Sequence, residues 1–233
     1  MSADSLILVV NPGSSSRKYA LYKNGAMSAV VNFEFEDGKV TGKVEYAGQK
    51  YPAAYEDADL SEVSGYVLPL LHQYSVIGQR DNLTAIGVRV VAPAMRFTKD
   101  ELLTDEVISA LEAIQRKAPL HITTVLAEIK QIKNHFPGVP LVAISDTAFH
   151  VTKNNCAWYY GIDPELAEKT GIKRYGYHGI SMGSIVHYLQ EQNALAPKTI
   201  ICHLGSGSSL TAVLNGKSYE TTMGYSPLEG LMM

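Results

Sequence analysis

Two apolar runs separated by a short polar turn open the chain, and this arrangement constrains its fold more than any other feature. Leu6 to Val10 is a β-branched run typical of a buried strand, and Lys18 to Tyr22 resumes an extended pattern. The intervening Asn-Pro-Gly-Ser-Ser-Ser segment is predicted to end the first strand. Its backbone N–H groups, hydroxyls and amide, followed by the charges of Arg17 and Lys18, suit a phosphate or a hydrated metal. The spacing alone favours an ordinary turn.

Composition excludes several classes of protein. The chain has 233 residues, of which 46% are hydrophobic and 18% charged, and this is typical of a globular protein with one large or two small domains. A formal net charge of −3 gives no reason to expect nucleic acid or an anionic membrane as partner. No apolar stretch approaches the roughly 20 residues that a membrane span needs, and the N-terminus lacks a basic region followed by a long apolar run. We therefore expect a cytoplasmic protein.

The two cysteines, Cys156 and Cys202, are too few for a disulfide scaffold and show no metal-ligand spacing. We expect both to be buried free thiols in a reducing compartment. This expectation agrees with the cytoplasmic location.

Turn dipeptides and hydrophobic periodicity predict an α/β chain. Asn24-Gly25 and Asp37-Gly38 separate runs of alternating character, so the first 50 residues are predicted to form a meandering sheet. Thr104 precedes two acidic residues as a helix N-cap, and Ser181 is predicted to cap a later helix. Helical spacing is found at 57–74, 105–118, 121–134 and 164–170, and from Ser181 to about residue 193. Further strands are predicted at 83–91, 139–144 and 199–204.

A short repeat connects the two ends of the chain. Thr199 to Asn215 contains a strand, the turn Gly-Ser-Gly-Ser-Ser, a second strand and an Asn-Gly turn, which echoes the opening hairpin. A duplicated hairpin with a polar, phosphate-sized loop suggests two related halves that face one cleft. A flexible loop is the alternative, since Gly and Ser also form unstructured connections.

Three polar residues stand out from their surroundings. Arg89 lies inside the apolar run Ala85 to Ala92, where a buried guanidinium needs an anionic partner, either a structural carboxylate or a substrate. Asp146 at a predicted strand end and His178 between glycines have contexts that favour exposure at a cleft. A lone Asp or His is nevertheless more often structural.

Six motifs follow one another in the order found in the acetate kinase (acetokinase) family. They are N-P-G-S-S-S-R-K (11–18), A-P-L-H (118–121), S-D-T-A-F-H (145–150), R-Y-G-Y-H-G (174–179), H-L-G-S-G-S-S (203–209) and T-T-M-G-Y-S-P-L-E-G-L-M-M (221–233). Each motif is moderately specific, and six in order make a chance similarity implausible. The chain thus resembles this family of short-chain acyl kinases in the actin-like ATPase superfamily.

The resemblance implies a fold and a reaction. The fold is two-domain actin-like ATPase (ribonuclease H-like) α/β, with mixed sheets flanked by helices, an N-terminal domain at 1–150 and an incomplete, nucleotide-binding C-terminal domain at 151–233. The reaction is reversible phosphoryl transfer between ATP and acetate, with Mg²⁺, giving acetyl phosphate and ADP. A propionate or butyrate kinase, and a non-catalytic nucleotide-binding fragment, remain as alternatives.

The family's catalytic positions fall on three residues of this chain. By resemblance, Arg89 binds the carboxylate and the phosphoryl group, Asp146 is the catalytic carboxylate, and His178 stabilises the transition state. His121 lines the same cleft as a substrate-binding residue. Acetate is already ionised at neutral pH, because carboxyl groups have a pKa near 4. We therefore expect Asp146 to orient groups and organise the metal rather than to accept a proton.

The nucleotide and metal positions of the family lie in the two polar turns. By resemblance, Asn11 is associated with Mg²⁺ and Lys18 contacts the nucleotide. The ATP phosphate loop takes in five consecutive residues, namely His203, Leu204, Gly205, Ser206 and Gly207.

The chain departs from the family pattern at several positions. Gly87 to Ala94 reads G-V-R-V-V-A-P-A where the family usually has G-H-R-V-V-H-G-G, so the arginine keeps neither its histidine nor its glycine neighbours. Ile122 replaces an Asn, Met182 a His, and Ser206 an Asn of the phosphate loop. These changes affect the expected acyl-chain preference more than the expected phosphoryl chemistry.

The last motif stops at Met233, where the family continues into G-T-R-S-G-D with a second catalytic arginine. On this basis the chain is expected to be truncated and to have little or no kinase activity alone. Family members pair as homodimers mostly through the carboxy-terminal domain, so the resemblance leaves dimerisation of this chain open.

Overall fold

The computed structural model of the chain describes residues 5–13, 15–55, 59–78 and 82–232, and it confirms the predicted α/β architecture. The described residues form one large mixed sheet of eight strands and one antiparallel sheet of three strands. The chain divides into two compact units, the first comprising 1–89, 101–115 and 119–144, and the second 90–100, 116–118 and 145–233. The domain boundary expected at residue 150 stays a prediction.

The first unit contains most of the large sheet and three helices. The strands of this sheet are β1 (Leu6–Pro12), β2 (Ser16–Lys23), β3 (Ala26–Glu36), β4 (Lys39–Tyr46), β5 (Gln49–Tyr55), β6 (Ala85–Val90), β7 (Glu101–Leu102) and β8 (Leu141–Ser145), in the order β5-β4-β3-β2-β1-β6-β8-β7. The helices are α1 (Ser64–Gln73), α2 (Asp105–Ala113) and α3 (Pro119–His135). β1 runs antiparallel to β2 and parallel to β6, so β1 joins the opening meander to the rest of the sheet.

The second unit contains the three-stranded sheet and two helices. The helices are α4 (Pro164–Thr170) and α5 (Gly179–Glu191), and the strands β9 (Lys198–Leu204), β10 (Ser208–Leu214) and β11 (Lys217–Thr221) lie in the order β11-β10-β9. The Asn215-Gly216 turn predicted between two strands joins β10 to β11, and both of its residues have positive φ.

The opening hairpin forms as predicted, but its turn is shorter than expected. β1 continues through Asn11 and Pro12, because Asn11 pairs with Lys18 and Pro12 with Arg17 on β2. The prediction that the Asn-Pro pair ends the strand is therefore wrong. Proline is tolerated here because the ladder between β1 and β6 extends only to Val10, so its missing N–H removes no hydrogen bond on that side.

Three further comparisons with the sequence-based assignments concern local structure. Thr104 caps α2 as predicted, since its hydroxyl accepts a hydrogen bond from the Val107 N–H at 3.3 Å. β5 was not predicted, and as an edge strand it accommodates Pro52. The helix predicted over 57–74 begins only at Ser64, with 57 and 58 outside the described residues.

The prediction of buried thiols is wrong. Cys156 and Cys202 are both free and both exposed, because each lies on the outward side of a short 3-10 helix or an alternating strand.

Within the described ranges, no helix has the length and apolar character required to cross a bilayer.

A buried ion pair connects the opening hairpin of the first unit to α3. Arg17 on β2 and Glu128 on α3 are 5% and 1% exposed, and the Arg17 Nε lies 3.1 Å from Glu128 Oε2. Tyr19 donates its hydroxyl to the other carboxylate oxygen at 2.6 Å. Burial raises the pKa of Glu128, and the hydrogen bonds from Tyr19 and Arg17 partly offset that rise.

We expect Glu128→Gln to destabilise the protein by about 3 kcal/mol, because it leaves the Arg17 guanidinium buried without a counter-charge. Urea denaturation followed by circular dichroism would measure the change in the free energy of unfolding. Glu45→Gln is the matched control, since Glu45 pairs with Lys50 at 3.3 Å in an exposed position and is expected to change stability by less than about 1 kcal/mol. Equal effects of the two substitutions would contradict the prediction.

A buried neutral histidine makes the second unit sensitive to acid. His150 is fully buried; its Nε2 donates to the Tyr177 carbonyl at 2.9 Å, so its Nδ1 accepts from the Ser218 hydroxyl at 2.9 Å. Burial lowers the pKa of His150 from 6.5 to about 4. The unfolded chain therefore takes up a proton near pH 6.5, where the folded chain does not.

We expect this histidine to stabilise the fold above pH 6.5 and to lose that contribution as the pH falls toward 4, by up to about 3 kcal/mol. Urea denaturation at pH 7.5 and pH 5 would give the slope of unfolding free energy against pH. His150→Gln should flatten this slope, whereas His187→Gln, at an exposed position of α5, should keep it. A slope unchanged in His150→Gln would refute the assignment.

Candidate active site

Three polar side chains lie side by side on adjacent strands of the first unit. Asn11 stands near the end of β1, opposite Lys18 on β2, and the Arg89 Nη1 on β6 donates to Asn11 Oδ1 at 3.1 Å. Asn11 and Lys18 are exposed and Arg89 is half-buried. β1 and β6 are parallel, so the amide and the guanidinium meet at the carboxyl ends of neighbouring strands, where α/β sheets commonly bind ligands. The group suits an anion.

Arg17 does not belong to this group, although its charge was part of the sequence argument for an anion site. Its guanidinium points into the core, where it donates to the carbonyls of Gly13 and Ser16 and pairs with Glu128. It therefore stabilises the polar turn from its buried side rather than contacting a ligand. The strand alternation Arg17, Tyr19, Leu21 on the buried face of β2 was the signal for this orientation.

In the second unit, Asp146 lies directly after β8 and caps the N-terminus of α5. Its Oδ2 accepts from the His178 N–H at 3.0 Å, its Oδ1 lies 3.5 Å from the Ile180 N, and its carbonyl accepts from the Gly179 N–H at 2.8 Å. Asp146 is only 1% exposed, so the expectation of an exposed carboxylate is wrong. Its negative charge is stabilised by backbone N–H groups at the start of α5, which have no hydrogen-bond partner within the helix and therefore favour a carboxylate.

The helix itself begins three residues earlier than predicted. His178 is its N-cap, with a left-handed φ of +60°, and Ser181 lies in the first turn rather than at the cap. The prediction of Ser181 as cap is wrong because the buried Asp146 carboxylate supplies the acceptor from another element. Sequence periodicity does not report an acceptor that is distant along the chain.

Two histidines stack next to this helix N-terminus. The rings of His178 and His203 have centroids 4.0 Å apart and planes inclined by 24°. His178 Nδ1 lies 2.9 Å from the Ser209 hydroxyl on β10, and His203 Nδ1 lies 2.9 Å from the Ser181 hydroxyl on α5. Sequence reasoning did not identify either serine as a site residue, although Ser209 lies within the H-L-G-S-G-S-S motif.

The predicted phosphate loop is a tight turn between β9 and β10. The Gly205 N–H donates to the Gly207 carbonyl at 3.1 Å, and Leu204, Gly205 and Ser206 are exposed. A Cβ atom at Gly207 would lie 3.2 Å from His178 Nε2, so the histidine ring lies directly against the turn. The turn thus combines backbone dipoles with imidazole nitrogens, a combination suited to phosphate oxygens.

The remaining predicted residues bear on substrate and metal. His121 lies exposed in the first turn of α3, in the first unit. Among the described residues, no cluster of three or more His, Cys, Asp or Glu side chains is placed to hold a metal. Asn11 Oδ1 is a hard donor that already accepts from Arg89 Nη1 with one lone pair, so it could give a Mg²⁺ ion one ligand at most, and water or phosphate oxygens would have to supply the others.

Comparison with known proteins identifies the family. The profile of the Acetokinase family matches residues 6–233. The chain is 39% identical over 236 residues to the acetate kinase of Desulfitobacterium hafniense (strain DSM 10664 / DCB-2) and 37% identical over 235 residues to that of Clostridium botulinum (strain Langeland). Each match covers 97% of this chain, and the chain spans about 59% of the length of these relatives.

Solved structures agree with the sequence comparison. The chain is similar to a propionate kinase from Francisella tularensis, with a TM-score of 0.87 and 32% identity, and to the acetate kinase of Porphyromonas gingivalis, with 0.84 and 30%. Each similarity covers 98% of this chain and 60% of the solved one. The sequence motifs, the mixed sheet and both comparisons lead to one conclusion: the chain belongs to the Acetokinase family.

Proposed function

We propose that the chain carries the N-terminal catalytic groups of an acetate kinase, which transfers the γ-phosphoryl group of ATP reversibly to acetate. The observation that carries the proposal is the Arg89 guanidinium, held at 3.1 Å by Asn11 beside the exposed Lys18 on the family's own motif. A propionate kinase is the second candidate, supported by the similarity to the Francisella tularensis structure. The Desulfitobacterium hafniense and Clostridium botulinum relatives, both acetate kinases, favour the first.

In this proposal Arg89 recognises the substrate carboxylate and the transferred phosphoryl group. A planar guanidinium offers parallel N–H donors that match both anions, and Asn11 restricts its orientation. Asn11 would hold Mg²⁺ through its amide oxygen, and Lys18 would contact the nucleotide phosphates. Bound Mg²⁺ would neutralise charge on the phosphate oxygens. His121 is assigned to the acyl substrate by resemblance alone.

Asp146 acts in this proposal as a positioning residue rather than a proton acceptor. Both of its carboxylate oxygens face backbone N–H groups of α5, and the acetate nucleophile carries no proton to remove at neutral pH. It sets the backbone of His178, whose imidazole stabilises the charge on the transferred phosphoryl oxygens. The turn from His203 to Gly207 receives the ATP phosphates. A cytoplasmic location remains part of the proposal.

The activity can be tested with ATP, Mg²⁺ and acetate, trapping acetyl phosphate with hydroxylamine. We expect little or no product from the 233-residue chain alone, since it spans about 59% of its relatives' length. Joined to the remaining part of the Desulfitobacterium hafniense acetate kinase, it should turn over acetate faster than propionate. Robust turnover by the chain alone would refute the first expectation, and an inactive but folded joined protein would refute the proposed function.

In the joined protein, Arg89→Ala is expected to lower kcat/KM for acetate about 100- to 1,000-fold, because a preorganised charged donor is lost from the transition state. Arg89→Lys should recover little, since an ammonium cannot replace the planar fork. Initial rates against acetate concentration would give both constants. Arg116→Ala, at an exposed arginine outside the site, is the control and should leave the constants unchanged. An Arg89→Ala variant with near wild-type kcat/KM would remove Arg89 from the mechanism.

A further inference from the structure

Within the second unit, His178 is held by one contact to its backbone and by two groups that lie against its imidazole ring. Its backbone N–H is bound by Asp146 Oδ2 at 3.0 Å, one ring face stacks on His203 at 4.0 Å, and a Cβ at Gly207 would lie 3.3 Å from its Cε1. These contacts restrict where the ring lies. They do not determine which of its two nitrogens carries the proton when the ring is neutral.

The Ser209 hydroxyl is the group that can decide this. Ser209 is fully buried on β10, and its Oγ lies 2.9 Å from His178 Nδ1. Among the described residues, His178 Nδ1 is the hydrogen-bond partner of the Ser209 hydroxyl. A buried O–H group without an acceptor is strongly unfavourable, whereas a hydroxyl oxygen tolerates an unused lone pair. The hydroxyl therefore donates to Nδ1.

We infer that Ser209 is a positioning residue that holds His178 in the tautomer with its proton on Nε2. Donation from Ser209 makes Nδ1 an acceptor, so Nε2 becomes the donor of the neutral ring. Nε2 lies beside the Gly205–Gly207 turn together with Cε1, since a Cβ at Gly207 would lie 3.2 Å from Nε2 and 3.3 Å from Cε1. An N–H donor already held next to this turn needs little reorganisation when charge develops on a phosphoryl oxygen.

The neighbouring pair provides a comparison within the same unit. Ser181 contacts His203 Nδ1 at the same 2.9 Å distance, but Ser181 is only half-buried, so water can satisfy its hydroxyl. Ser181 therefore controls His203 less strictly than Ser209 controls His178. The catalytic consequence of the Ser209 contact rests on the proposed function, whereas the tautomer itself does not.

The tautomer can be measured on the 233-residue chain without substrate. Long-range ¹H–¹⁵N correlation spectra of histidine-labelled protein at pH 8.5, above the usual histidine pKa of about 6.5, distinguish protonated from unprotonated ring nitrogens. His178→Asn would assign the signals. We expect wild-type His178 to carry its proton on Nε2, with a nuclear Overhauser effect from Hε1 to the Gly207 Hα. A proton on Nδ1 of wild-type His178 would overturn the inference, whatever the variants do.

The paired variants then separate the two serines. Ser209→Ala should raise the population of the Nδ1–H tautomer of His178 and at least halve the intensity of the nuclear Overhauser effect between His178 Hε1 and the Gly207 Hα. Ser181→Ala should change only the His203 signals. In the joined protein, Ser209→Ala should lower kcat roughly tenfold or more, with KM for ATP changed less than about twofold. Unchanged His178 signals in Ser209→Ala, or an unchanged kcat, would contradict the inference. An inactive joined protein with the expected tautomer would instead count against the proposed function alone.

Discussion

The first hairpin of the chain, formed by β1 and β2, depends on the buried ion pair between Arg17 and Glu128. This pair joins β2 to α3, and the same guanidinium also binds the carbonyls of Gly13 and Ser16. Two charges removed from water are tolerated only when their remaining hydrogen bonds are made, and Tyr19 supplies one of these to the carboxylate. The turn between Asn11 and Lys18 is thus stabilised by a core contact as well as by its own hydrogen bond from the Gly13 N–H to the Ser16 carbonyl at 2.9 Å.

The same kind of support, a hydrogen bond or backbone contact from a neighbouring group, recurs at several of the candidate site residues. Asn11 orients Arg89, Asp146 binds the backbone at His178, and Ser209 and Ser181 bind the two stacked rings. Each supporting group removes rotational freedom that a ligand would otherwise have to restrict on binding. Loose phosphoryl transfer offers little covalent chemistry to the protein, so positioning of fixed donors is the contribution that such a scaffold can make.

Local patterns predicted much of the fold because they act through neighbouring residues. Alternation and Asn-Gly or Asp-Gly turns marked the meander, and Thr104 marked the start of α2. The misses around Asp146 and Ser181 have one common cause, since both depend on a partner distant in sequence. α5 starts at Gly179 because Asp146, 32 residues before His178, caps it. The exposure of Asp146 was misjudged for the same reason.

The sequence by itself determined the family and the α/β class, and it pointed to most of the candidate site residues, because motif order and hydrophobic periodicity depend only on the order of residues along the chain. Only the tertiary structure decided their states. It turned Arg17 inward, buried Asp146, and placed Nε2 of His178 beside the Gly205–Gly207 turn. Burial and hydrogen-bond direction arise from groups such as His178 and Ser209, 31 residues apart, or Arg17 and Glu128, 111 residues apart, which become neighbours only on folding.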